Sequence, residues 1–145
     1  MITHDEIRTA AIATLKADVS VKAVIKGWYR YLLPVANIRC PAFYIGEIIQ
    51  PFNGAFGTDR QYTTLANMMD ITAGVLCDKH DKDDADTQLG STYELVYDAF
   101  QSTPELGIDN FEIHSITPIT TKPMPQYGKF TFGAEMILNA KLEEE

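Results

Sequence analysis

Cysteine is scarce in this chain. Cys40 and Cys77 are the only two, and they do not form a CxxC pair. That spacing speaks against a disulfide framework or a cysteine-built zinc site and fits two reduced thiols in a cytoplasmic product. Cationic side chains are also few, 12 Lys and Arg against 20 Asp and Glu, for a net charge of −8. Gripping nucleic acid by neutralising its phosphates needs clustered cations, so that class of function is not expected. An acidic wall that surrounds DNA without holding it stays open, because such a wall repels phosphates. No apolar run approaches the roughly 18 residues that a membrane span needs. The opening Met1-Ile2-Thr3-His4-Asp5-Glu6 lacks the basic start and apolar block of a signal peptide.

The residue patterns that carry chemistry are missing too. Gly54 and Gly57 do not sit between a strand and a helix, and no Gly-Lys-Ser/Thr follows them. Asp81-Lys82-Asp83 opens like a calcium loop. Ala85 then takes a ligand position, Asp86 takes the place of the required glycine, and Thr92 stands at position twelve. Cys77 and His80 are three apart, but no second pair completes a metal site. His4, His80 and His114 are scattered, none beside a Ser or Cys in a nucleophile setting. Carboxylate pairs are plentiful only in 78–86, which reads as a solvated loop and not as a buried acid–base site. The expectation is a non-enzymatic protein with no catalytic residue, metal or cofactor.

What is present is a pattern of alternation. From Leu65 the odd positions read Leu65, Asn67, Met69, Ile71, Ala73, Val75, Cys77, while the even ones are mostly polar or small. A period of two marks a strand with one face on a core. The stretch Gln61–Asp78 is about twice as long as an ordinary strand of roughly 5–6 residues. Such a strand must lean out of its domain, bend, or pair with another chain. Met69 to Cys77 is expected in the core, and Gln61 to Asn67 is expected to project.

The rest of the chain reads as one domain, 1–145. Thr3-His4-Asp5-Glu6 is a capping box, with Ile2 and Ile7 placed as a hydrophobic staple. Ile7, Ala11, Ile12 and Leu15 form the stripe of a helix that ends near Asp18. Val21, Val24 and Ile25 suit a short helical turn closed by Gly27. Trp28-Tyr29-Arg30-Tyr31-Leu32-Leu33 has two readings. It is a connector over one end of the core, or a partner surface of the kind rich in Trp, Tyr and Arg.

Pro41–Ile49 is a strand. Residues 50–62 follow as a projecting loop or arm whose Phe52 and Phe56 either serve a partner or fold back on the sheet edge. A second helix carries Leu89, Tyr93, Val96, Tyr97 and Phe100. It begins at Asp83 or Asp84, or at a second capping box, Ser91-Thr92-Tyr93-Glu94. The early start is favoured, because Leu89 lies on the same face, at a cost of about 1 kcal/mol for Gly90. Phe111–Thr120 is a strand with a bulge near Ser115, and Pro118 puts it at an edge. Phe130, Phe132, Ala134, Met136 and Leu138 line the inner face of the last strand, and 143–145 is a frayed acidic tail. The order α-β-β-α-β-β predicts an α+β fold: a mixed or antiparallel sheet of about four strands with two main helices on one face.

This arrangement resembles the tail terminator (tail-completion, neck) proteins of tailed bacteriophages. The likeness lies in helix one, the Cys40-Pro41-Ala42-Phe43-Tyr44-Ile45 lead into strand one, and the long strand 61–77 with its Asp-rich exit. It continues in the amphipathic helix ending at Phe100 and the C-terminal hairpin with Phe130-Thr131-Phe132. It covers most of the chain, with 19–39 the least matched, and rests on element order, length and hydrophobic spacing. The resemblance implies a hexameric ring on the head-proximal end of a tail tube. The ring stops tube growth, presents a surface to the head connector and lets DNA pass through its lumen without specific binding. It also implies a virion protein made in the bacterial host cytoplasm, with no membrane partner. Trp28, Phe52, Phe56, Arg60 and Tyr62 are the expected subunit contacts, with a carboxylate of the neighbouring subunit facing Arg60. Two alternatives remain: a tail tube or other neck subunit, and a small cytoplasmic enzyme or ligand-binding domain, which needs a closed pocket.

Overall fold

The structure is a computed structural model that describes residues 3–31, 38–52, 65–78, 82–118, 122–123 and 131–144. The elements are α1 (His4–Ala17), α2 (Val19–Val24), β1 (Gly27–Tyr29), β2 (Ala42–Phe52), β3 (Leu65–Asp78), α3 (Lys82–Ser102), β4 (Phe111–Pro118), β5 (Lys122–Pro123) and β6 (Thr131–Glu144). The sheet order is β1-β2-β3-β6-β4, with β5 also on β6. β1 runs parallel to β2, and every other pairing is antiparallel. The fold is thus α+β with a mixed sheet; among the described residues it holds β1 and β5 beyond the four strands expected, and the short helical turn expected at Val21–Ile25 is α2, which closes at Ile25 and not at Gly27.

Local chemistry sets the helices. The Thr3 hydroxyl accepts from the Glu6 amide at 3.1 Å, as the capping box requires. The Asp18 carboxylate accepts from the Val21 amide at 3.1 Å and starts α2 where α1 stops. α3 takes the early start, so Ser91 and Thr92 lie inside it. There Ser91 bonds back to the carbonyls of Thr87 and Gln88, and Thr92 is buried beside the Cys77 thiol.

All three helices share one core with one face of the sheet. Ile7, Ala11, Leu15, Val21, Leu89, Val96 and Phe100 meet Phe43, Ile45, Met136 and Leu138 there. From β3 the core takes Met69, Ile71, Ala73, Val75 and Cys77, the five odd positions expected. The strand's length has a different outcome. All 14 residues of β3 pair with β6, from Leu65↔Glu144 to Asp78↔Thr131. At about 3.4 Å per residue this ribbon spans roughly 48 Å. Of the stretch expected to project, the backbone of Leu65–Asn67 pairs instead with Leu142–Glu144, and 61–64 lie outside the described residues. Glu143 and Glu144 extend β6 where a frayed tail was expected, and 50–52 belong to β2 where the loop was expected to start, while 53–62 and Glu145 lie outside the described residues. The bulge in β4 falls between Ile113 and Ser115, and Pro118 lies in an edge strand, both as the sequence indicates.

Candidate functional surfaces

One flank of the sheet is built by α1, α2, β1 and β2. β1 covers β2 only from Ala42 to Tyr44. Just beyond, the β2–β3 register shifts between Ile45 and Ile48. Arg8 answers this gap. Its Nη1 lies 3.2 Å from the Ile45 carbonyl oxygen, 2.6 Å from that of Gly46 and 2.9 Å from that of Arg30. The side chain is buried, and its guanidinium stands 4.3 Å from the Tyr31 ring centroid, a cation–π geometry. Arg30 pairs with the Asp5 carboxylate and donates to the Asp5 carbonyl at 3.3 Å. The sequence pattern gave Arg8 no role. Its signal is a cation four residues before Ile12, flush with the apolar stripe.

The expected contact residues divide sharply. Trp28 is half-buried in β1, packed on Phe43 with ring centroids 6.2 Å apart and with the Lys16 ammonium 5.5 Å above it. Its neighbour Tyr31 is the exposed aromatic of that run. Phe52 ends β2 with its backbone opposite Met68, and its side chain lies outside the described residues. Phe56, Arg60 and Tyr62 lie outside them altogether.

The sheet face away from the helices carries a small buried cluster, Ala42, Tyr44 and Leu76 with Tyr29, Ile38 and Cys40 against it, and polar side chains beyond. Tyr44 pairs with Gly74, and Gly74 with Glu135. The Tyr44 ring crosses the glycine, and its hydroxyl donates to Glu135 Oε2 at 2.7 Å. A Cβ at Gly74 would stand 2.5 Å from Tyr44 Cζ, so the glycine is what lets the ring lie flat. Further along, Asn139 Nδ2 donates to Asp70 Oδ1 at 2.8 Å. The Asn139 Oδ1 accepts from Ser115 at 3.1 Å and Thr117 at 2.9 Å. These side chains tie β3, β6 and β4 across the open face.

The second flank is β4 with the end of α3. Two clefts open there to solvent. One of about 310 Å³ is lined by Asn110, Phe111, Glu112, His114 and Lys141. The other, of about 430 Å³, runs between α3 and β4; Pro104 and Ile116 are its half-exposed apolar side, Gln101, His114 and Ser115 its polar side, and Phe100 and Ile113 its buried floor. Among the described residues no strand pairs with the outer side of β4.

Burial pushes the Cys40 thiol up to about 12, helped by the charges of Asp78 and Cys77, so it carries no thiolate at neutral pH. Burial, with Tyr97 nearby, also raises the Tyr93 phenol. Among the described residues no three His, Cys, Asp or Glu side chains are grouped to hold a metal ion. No protein-family model matches the chain, and no curated protein matches it.

Proposed function

We propose that this chain is a structural subunit that self-assembles into a closed ring, and that the ring caps the head-proximal end of a phage tail tube. In that role it stops tube growth and offers the head connector a docking surface. The observation that carries the reading is the layout of the subunit. All helices lie on one face, and the sheet ends in two unlike flanks, β1–β2 and β4, each with an uncovered edge among the described residues. Unlike flanks suit head-to-tail contacts, which close into a ring when the rotation per subunit closes. The likeness to tail terminator proteins in element order and hydrophobic spacing supplies the tube end as the ring's position.

Light scattering of the purified protein followed by electron microscopy tests this. Single-layer rings are the expected result, together with tails of altered length when the gene is deleted. Long tubes would identify a tube subunit instead. A particle that stays monomeric and leaves tail length unchanged on deletion would overturn the proposal.

A further inference from the structure

The charges of this chain are segregated along its sequence. Residues 1–41 hold six of the 12 Lys and Arg against three acids, Asp5, Glu6 and Asp18. Residues 83–121 hold eight acids and no Lys or Arg. The fold carries this segregation into space. The first segment forms α1, α2 and β1, and the second forms nearly all of α3 together with β4. β1 and β4 are the two ends of the sheet order. Lys16, Lys22, Lys26 and Arg39 are exposed on the first segment, and Glu94, Asp98, Glu105 and Asp109 on the second, whose helix α3 lies over β3 and β6 and meets β4 at its C-terminal end.

A second asymmetry runs the same way. Among the described residues the exposed large apolar side chains are Val19, at 83%, Tyr31, at 51%, and Ile49, at 45%. Val19 is in α2, Tyr31 lies two residues past β1, and Ile49 is in β2 opposite Asp70, all on the β1–β2 side of the sheet. The acidic flank instead offers the cleft of about 430 Å³ with its apolar side. One flank presents cations and projecting apolar groups, and the other presents anions and a recess.

Resting on the self-assembly reading, we infer that the basic flank of one copy docks on the acidic flank of a second copy. Lys22 and Lys26 face the acids at the end of α3, and an apolar group of the basic flank covers the cleft. Because each copy offers one flank of each kind, the contact is head-to-tail. It also has a tilt. Lys26 adjoins β1 at the Ala42–Leu76 end of the sheet. The acidic end of α3 leads into β4 near Glu112, whose partner Lys141 pairs with Met68. Leu76 and Met68 are separated by about 26 Å along β3, at roughly 3.3 Å per residue. The two patches are diagonal corners, so the strands run oblique to the ring axis.

Charge exchange tests the inference. Asp98→Lys with Glu105→Lys puts cations on both sides of the contact, and Lys22→Glu with Lys26→Glu puts anions on both. All four side chains are exposed, and a cation near the end of α3 suits the helix dipole, so both variants should keep the wild-type circular dichroism spectrum and melting temperature. Each variant alone should self-associate about tenfold or more weakly than wild type, because like charges then face each other. An equimolar mixture should recover association, with the two variants alternating. If wild type assembles and the variants assemble equally well, the flank assignment is wrong while the ring proposal stands. Loss in both variants without recovery on mixing also overturns it. A wild type that stays monomeric overturns both.

Discussion

Replacing Arg8 by Met keeps the length of the stem but removes the donor within reach of the Arg30, Ile45 and Gly46 carbonyls. The bond to Ile45 is buried and the other two partly so, and a buried acceptor left unmade costs about 1–3 kcal/mol. The Tyr31 ring also loses its cation, worth roughly 0.5–2 kcal/mol. Arg8→Met should therefore lower unfolding stability by about 2–4 kcal/mol in urea titration. Arg8→Lys should recover only part, since a point ammonium cannot reproduce the planar fork. An unchanged midpoint for Arg8→Met would mean that solvent already serves those carbonyls. Cys40 supplies a pH dependence. Its thiol stays protonated in the fold from 9.0 up to about 12, whereas the unfolded chain ionises near 9.0. The folded state then binds the extra proton, so stability falls as pH rises through that window and is fully present below it. Cys40→Ser removes this slope. The stability difference between wild type and variant should shift in the variant's favour as pH rises above 9.0, measured by denaturant titration at each pH.

Among the elements, α3 offers the clearest adjustment. Gly90 lies inside it, is exposed, and has open space where a Cβ would stand. Gly90→Ala should stabilise the protein by about 0.5–1 kcal/mol, because alanine loses less backbone entropy in a helix. Thermal melting checks it, and a lower melting temperature would show that the helix needs the glycine. The same helix marks what can be read from sequence. Its face, Leu89 to Phe100, repeats at helical spacing over enough turns to fix its type, while two capping signals left its start open. The long strands were legible for the same reason, since Met69–Cys77 and Ala134–Leu138 alternate over many positions. β1 was not, because three residues inside an aromatic run carry no period, and its partner is defined only by the register Gly27↔Ala42. β5 has two residues and no pattern at all. The candidate surfaces were less legible still. Arg8, Tyr44 and Gly74 act through partners 37, 91 or about 30 residues away in sequence, which spacing alone does not encode.

At the scale of the whole molecule two electrostatic effects compete. Each copy carries −8, so two copies repel through their net charge at long range. The basic and acidic flanks attract only when they face each other at short range. Salt weakens both, but over different ranges, because the screening length is about 30 Å at 0.01 M, 10 Å at 0.1 M and 3 Å at 1 M. Going from 0.01 to 0.1 M removes repulsion between distant charges while adjacent ion pairs keep most of their attraction. Going on to 1 M erodes the pairs themselves. Association should therefore strengthen and then weaken, with its maximum at intermediate salt on the order of 0.1 M. An acidic subunit joined only through apolar contact would behave differently. Salt would relieve its repulsion and, if anything, favour burial, so association would rise throughout. Sedimentation velocity across a sodium chloride series distinguishes the two. A maximum supports docking by matched flanks, and a steady rise to 1 M would leave the apolar groups, Val19, Tyr31 and Ile49, as the source of any self-association.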